Sequence, residues 1–75
     1  MDRAALIARK HETLGKLAQA RRELERLQAQ VTTQGEADPD AKPSRATRRR
    51  LLQLQTTVER LMAEEYRLRL AIDRA

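Results

Sequence analysis

The chain has 75 residues, a formal net charge of +5 and no cysteine, and 36% of its residues are charged. A chain of this length forms one domain at most and cannot bury a large core of its own. Without cysteine it has neither a disulfide framework nor a thiolate metal site. Its richness in Ala, Leu, Arg, Glu and Gln is typical of long helices and coiled coils. The composition therefore predicts an all-α chain, and we expect residues 1–75 to form a single domain.

A first helix is predicted over about residues 3–33, with Asp2 as its N-cap. Apolar residues recur along one face, as in a helix that packs lengthwise against another; they are Leu6/Ile7, Leu14, Leu17, Leu24, Leu27 and Val31. Lys10 and His11 interrupt this face between Ile7 and Leu14. His11 has the chemistry of a pH switch or a metal ligand, but the chain has no second histidine. We therefore interpret His11 as an edge residue that covers the helix contact.

The connection is predicted to be an acidic loop over about residues 34–43. Gly35 is placed to end the first helix in a left-handed conformation. Pro39 and Pro43 disfavour helix at the residues that precede them, and Ser44 offers a cap for the next helix. The acidic side chains of the loop form either a functional tip or an ordinary solvated turn, and we prefer the second interpretation.

A second helix is predicted over about residues 44–74, and its apolar pattern is the most regular in the chain. Leucine, valine and isoleucine alternate at steps of three and four, at Leu51, Leu54, Val58, Leu61, Leu68 and Ile72. Glu65 fills the one gap. This is the a/d pattern of a coiled-coil-like helix contact, which we call the seam.

The two predicted helices are nearly equal in length, so the chain should fold into an antiparallel two-helix hairpin. Folding about residue 39 places Leu17 level with Leu61, and it places Glu65 within one turn of Lys10 and His11. Two polar interruptions at one level predict a cross-helix ion pair, Glu65 with Lys10 or with His11, that fixes the register of the helices. Two helices rarely bury enough area at this size, so self-association or a partner is expected to complete a helical bundle.

Four arginines crowd the start of the second helix, where the helix dipole disfavours cations; they are Arg45, Arg48, Arg49 and Arg50. One interpretation is a patch that binds phosphate or an acidic partner, because the guanidinium group is a good fork for anionic oxygens. The other is that the acidic loop and the carbonyl end of the first helix neutralise these charges. The second interpretation is preferred.

The second helix carries more apolar residues than one seam uses. Leu52, Met62, Tyr66 and Leu70 lie off the seam, and the last three recur every four residues and so share a face. Exposed apolar stripes mark interfaces, so these four residues are the predicted partner interface. A seam that is wider than usual is the alternative explanation.

The sequence contains no catalytic, cofactor-binding or metal-binding motif, and we expect neither an enzyme nor a binder of small molecules. The predicted function is a protein–protein interaction module, such as an adaptor, a small chaperone or an assembly factor, with a partner protein or a second copy of the chain, most simply as a dimer. The alternative is a small basic nucleic-acid binder built as a dimeric four-helix bundle. In plan such a dimer resembles the plasmid Rop-type RNA binders, and the hairpin plan is also similar to that of small type III secretion co-chaperones.

The first apolar run, Ala4–Ala8, is too short for the core of a signal peptide or for a membrane span. We therefore expect a cytoplasmic protein that does not insert into membranes. A net charge of +5 suits either nucleic acid or an acidic protein surface. The absence of Phe and Trp leaves no aromatic platform for single-stranded nucleic acid, which favours a protein partner.

Overall fold

A computed structural model describes residues 2–75 as two long helices. Helix α1 spans Arg3–Ala37 and helix α2 spans Arg45–Arg74. They pack side by side into a hairpin that measures 54 × 15 × 15 Å along its principal axes. This confirms the predicted all-α helical hairpin.

Both helices begin at the predicted capping residues. The Asp2 carboxylate accepts a hydrogen bond from the backbone N–H of Ala5 at 2.7 Å. The Ser44 hydroxyl oxygen accepts one from the N–H of Thr47 at 3.1 Å. Each side chain satisfies an N–H group that has no partner inside its helix. The starts of the two helices are therefore encoded locally.

The end of α1 differs from the prediction. The helix continues through Gly35 to Ala37, and no glycine in the described residues has a positive φ. It stops instead at Asp38, whose backbone is extended, with φ −144° and ψ 102°. Asp38 precedes Pro39, and the proline ring excludes helical geometry from the residue before it. The predicted left-handed end at Gly35 is wrong, and α1 is one turn longer than expected.

A short turn that Asp38 organises links the helices. The carbonyl oxygen of Asp38 accepts from the N–H of Ala41 at 2.9 Å, with Pro39 at the second position of the turn. The Asp38 carboxylate also accepts from the N–H of Asp40 at 3.1 Å. Proline at that position and aspartate at the first are the residues this kind of turn favours. The loop is therefore residues 38–44, shorter than predicted.

The core is one layer thick. Leu17, Ala20 and Leu61 form its buried cluster, and Val58 packs against them. Leu17 thus meets Leu61, as the predicted register requires. None of the described side chains is less than 2% exposed. The hairpin alone therefore leaves even its best-buried residues close to solvent.

The seam of α1 differs from the prediction in its first half. Thr13 is 3% exposed and lies in the seam, whereas Leu14 is 40% exposed and Ile7 is 37% exposed. Leu6, at 9%, is the buried member of the Leu6/Ile7 pair. Counting back from Leu24 in alternating steps of four and three reaches residue 13. The seam position is therefore occupied by Thr13 and not by the neighbouring Leu14. This moves Ile7 and Leu14 onto the surface.

Candidate protein interface

Five of the six exposed large apolar residues lie in the half of the hairpin that carries the chain termini, and helical geometry turns them toward one side. We call this surface the apolar face and define it by five side chains that are 36% to 56% exposed: Ile7, Leu14, Met62, Tyr66 and Leu70. The sequence predicted the last three as interface residues. The structure adds the first two from α1.

The handedness of the helices explains why residues from both helices share one side. Leu14 directly follows a seam residue of α1, and Met62 and Tyr66 each directly follow a seam residue of α2. A residue that follows a seam position is rotated about 100° from it in a fixed sense. Because the two helices run in opposite directions, that rotation takes both sets to the same side of the hairpin. The apolar face therefore spans both helices.

The opposite side of the hairpin carries the cross-helix ion pairs. Arg50 Nη2 donates to Glu23 Oε2 at 2.8 Å, and Arg9 Nε lies 3.8 Å from Glu64 Oε1. Glu23, Arg50 and Glu64 each directly precede a seam residue, which rotates them away from the apolar face. The hairpin thus has its cross-helix ion pairs on one side and the apolar face on the other.

Glu65 lies in the seam, but its partner is not the predicted one. The carboxylate is buried, with the residue 8% exposed, and its oxygens accept hydrogen bonds from Arg69 Nη2 at 2.8 and 2.9 Å. Arg69 lies one turn later on the same helix. No described ion pair joins Glu65 to Lys10 or to His11; Lys10 is half-buried and His11 is exposed. The structure therefore replaces the predicted cross-helix pair with a pair inside α2.

The pairing has an electrostatic consequence for Arg69. The hydrogen bonds to Glu65, and then the negative charge of that carboxylate, raise the pKa of Arg69 above its ordinary value. The guanidinium group therefore lies beside the apolar face with its charge balanced by a carboxylate. Glu65 and Thr13 are the only buried polar residues in the described chain. They stand at the level where the sequence predicted a polar interruption.

Leu52 lies apart from the other predicted interface residues. It is 64% exposed and lines a shallow depression with Gln53, Thr56 and Thr57 of its own helix, next to Arg49 and Arg50. Tyr66 lies 14 residues further along, about 21 Å at 1.5 Å per residue. Leu52 directly follows a seam residue, so it lies on the same side of the hairpin as the apolar face but nearer the loop, outside the cluster at the chain termini.

The arginine cluster at the start of α2 divides into two parts. Arg50 forms an ion pair with Glu23 across the hairpin. Arg45, Arg48 and Arg49 are exposed, and none of the ion pairs within residues 2–75 includes them. The acidic loop therefore does not neutralise them through direct contacts. They form a small basic surface at the loop end of the hairpin.

Over residues 2–75, no three His, Cys, Asp or Glu side chains come together in a way that could hold a metal ion. Neither α1 nor α2 includes a stretch that is long and apolar enough to cross a bilayer.

Sequence reasoning missed Ile7 and Leu14, because leucine and isoleucine were assigned to the seam by residue type. The missed signal was the strict alternation of steps, which passes through Thr13.

In comparisons with known proteins, no family model, no curated protein and no solved structure matches this chain, so no relative supplies a function for the hairpin.

Proposed function

We propose that this chain is a non-enzymatic protein-interaction module whose working surface is the apolar face. The observation that carries the proposal is the concentration of exposed apolar side chains on one side of the terminal half of the hairpin. Contiguous apolar surface of this kind marks sites of association in soluble proteins. Tyr66, at 56% exposed, is the largest of these side chains and the natural anchor of an interface.

The distribution of charge supports the same conclusion. The cross-helix ion pairs lie on the side away from the apolar face, so closing the hairpin does not use that face. On the apolar face the charge of Arg69 is already balanced by Glu65. A partner can therefore cover the face without burying an unpaired Arg69, which would be costly. The role that fits is an adaptor, small chaperone or assembly factor.

Site-specific photo-crosslinking in the native host tests this function. A photoreactive phenylalanine analogue at position 66 should give crosslinks to protein, whereas the same group at Arg67, an exposed neighbour that points away from the face, should give few. Ile7→Glu should suppress the crosslinks from position 66, because it places a charge on the opposite helix of the same face. Equal crosslinking from positions 66 and 67 would refute the proposal.

A second candidate function, binding of nucleic acid, is favoured by one specific observation. Arg45, Arg48 and Arg49 are exposed and free of ion pairs within residues 2–75, and the chain carries a net charge of +5. Unpaired arginines of this kind suit phosphate oxygens. If this is the function, affinity should fall steeply with salt, and Arg48→Ala and Arg49→Ala should reduce that salt dependence. An absorbance spectrum of the purified protein without nucleic acid, and no salt-dependent binding, would exclude this function.

A further inference from the structure

We infer that the occupant of the apolar face is a second copy of this chain, related by a twofold axis parallel to the long axis of the hairpin. The resulting dimer is a four-helix bundle in which every helix is antiparallel to its neighbours and both loops lie at the same end. This inference rests on the proposed function, since it names the partner of the same surface.

The first reason is the match of apolar levels. A twofold axis along the hairpin places α1 of one copy against α2 of the other without any shift in level. Ile7 then lies level with Leu70 of the second copy, which stands at the outer edge of the face because it comes two residues after a seam residue. Leu14 meets Met62 and Tyr66, because these residues are level within one hairpin already. Each apolar side chain finds an apolar partner.

The second reason is the match of charges beyond the apolar face, on the same side of the hairpin. Arg21 recurs one heptad after Leu14, and Glu59 one heptad before Tyr66, so both continue that side toward the loop. In the dimer Arg21 lies opposite Glu59 of the second copy. Neither residue takes part in an ion pair within the described hairpin, and both are exposed. Opposite charges at one level favour this alignment.

A further pair of charges continues the pattern. Glu25 directly follows the seam residue Leu24. Arg48 lies one heptad before Gln55, and Gln55 directly follows the seam residue Leu54. Glu25 and Arg48 are therefore both on the side of the apolar face. Across the dimer they have the same stagger as Glu23 and Arg50, which bond at 2.8 Å within the hairpin. Both residues of this second pair are exposed and have no ion pair within residues 2–75.

The third reason is area. A face 54 Å long and 15 Å wide between Cα positions can bury the ~800 Å² per partner that a stable interface needs. A twofold axis perpendicular to the hairpin could also bring the two apolar faces together, but only by overlapping their terminal halves. That arrangement leaves Arg21 and Glu59 unpaired and about half the length uncovered. Only the parallel axis covers the whole side.

Lys10 is a cation beside the apolar face that this dimer must accommodate. It is half-buried at the edge of the seam, next to the apolar face. Its ammonium can reach solvent at the bundle surface while its aliphatic stem covers apolar side chains. Arg69 requires no such movement, because Glu65 neutralises it.

Sedimentation equilibrium at micromolar concentration tests association, and a charge swap tests the alignment. Arg21→Glu should weaken dimerisation about tenfold, since each dimer loses two attractions and gains two repulsions. Glu59→Arg in the same chain should restore it. Arg22→Glu, which changes charge equally at an exposed residue on the outer side of α1, should change the dissociation constant less than threefold. A swap that fails to restore affinity overturns the alignment.

A distance measurement distinguishes the two axes. The chain has no cysteine, so Ala41→Cys gives one spin label per loop. The parallel axis predicts a separation of about 20–30 Å, from helix spacings of ~10 Å plus the labels. A separation greater than the 54 Å length of the hairpin would overturn the inference.

The outcomes also separate this inference from the proposed function. A monomer at all concentrations up to about a hundred micromolar overturns the second copy as partner, but protein crosslinks from position 66 would still support the interaction module. A dimer that Tyr66→Glu leaves intact overturns this inference and shows that the apolar face is not the contact. A dimer that Tyr66→Glu dissociates, with its two loops close together, supports both.

Discussion

The carboxylate of Glu65 is held by the guanidinium group of Arg69, one turn further along α2, with nitrogen–oxygen distances of 2.8 and 2.9 Å. The acid is buried in the seam, and the base is exposed beside the apolar face. A buried charge is costly to leave alone, whereas a buried pair adds little over a well-packed apolar side chain. Replacing Arg69 and replacing Glu65 should therefore have different effects on the stability of the protein.

Arg69→Met should lower the thermal midpoint of unfolding, because it leaves the buried carboxylate without a cation. Glu65→Leu should lower the midpoint less than Arg69→Met does, because leucine continues the seam and leaves no buried carboxylate, although Arg69 then lacks its partner beside the apolar face. Circular dichroism at a fixed protein concentration measures both. Arg67→Met removes an exposed arginine from the same region of α2 and serves as the control. A similar loss in both arginine variants would show that the pair has no special role.

A double-mutant cycle separates the structure from the sequence-based prediction. Glu65 should couple to Arg69, which it contacts, and show no measurable coupling to Lys10 or His11. Coupling of Glu65 to Lys10 that exceeds its coupling to Arg69 would restore the cross-helix ion pair predicted from sequence.

Local sequence patterns specify some features of this hairpin and leave others open. Asp2 and Ser44 were correctly identified as caps, because capping depends on one side chain and the next three residues. The register that places Leu17 against Leu61 also follows from the sequence, because the apolar residues of the two helices align when the chain folds about residue 39. The partner of Glu65 does not. Arg69, at i+4 on the same helix, reaches the carboxylate without crossing the seam, and the sequence pattern does not rank these two options.

The sequence predicts the part of the apolar face that α2 contributes but not the part from α1, and the reason is related. Met62, Tyr66 and Leu70 stand out because α2 has a complete seam without them. In α1 the seam position is occupied by Thr13, and the adjacent Leu14 is apolar although it lies outside the seam. Residue type alone would assign this seam position to Leu14. Only the spacing of seam residues along the whole helix assigns it to Thr13.

Gly35→Ala should stabilise the protein by up to ~1 kcal/mol, the usual gain from replacing glycine inside a helix. Gly35 lies within α1 without a positive φ, and an added Cβ would meet no atom within 4 Å. Gly15 is also helical and open, so Gly15→Ala is a matched control with the same expected gain. Denaturant unfolding measures both. Destabilisation by Gly35→Ala alone would show that α1 ends in a left-handed residue at Gly35.

Glu23→Gln should cost less than ~1 kcal/mol, because exposed ion pairs contribute little to stability. The side chains of Glu23 and Arg50 are 41% and 54% exposed although they bond at 2.8 Å. The difference from the unmutated chain should shrink further at high salt, which screens exposed charges. Glu12→Gln, which removes the i,i+4 pair with Lys16, provides the comparison within one helix. A salt-independent loss above ~2 kcal/mol would mean that the Glu23–Arg50 pair is shielded from solvent in solution, since screening should weaken any exposed pair.

Three leucine-to-alanine variants test the division of the surface, because the chemical change is identical and only the environment differs. Leu17 is 5% exposed in the core, Leu14 is 40% exposed on the apolar face, and Leu52 is 64% exposed nearer the loop. Leu17→Ala should reduce the unfolding free energy by ~2–4 kcal/mol, the range for a truncated core leucine. Leu52→Ala should change the unfolding free energy of the single hairpin by less than ~0.5 kcal/mol, measured at a protein concentration low enough for the chain to be monomeric, as for ordinary surface positions.

Leu14→Ala should fall between these two, and its cost should depend on protein concentration. If Leu14 contacts a second copy, its truncation weakens association more than it weakens the hairpin, so diluting the protein should reduce the difference between variant and parent. The loss from Leu17→Ala should persist at every concentration, because that side chain is buried inside one hairpin. Denaturant midpoints measured over a hundredfold range of concentration provide the test. A concentration-independent loss at Leu14 equal to that at Leu17 would return Leu14 to the seam and remove it from the apolar face.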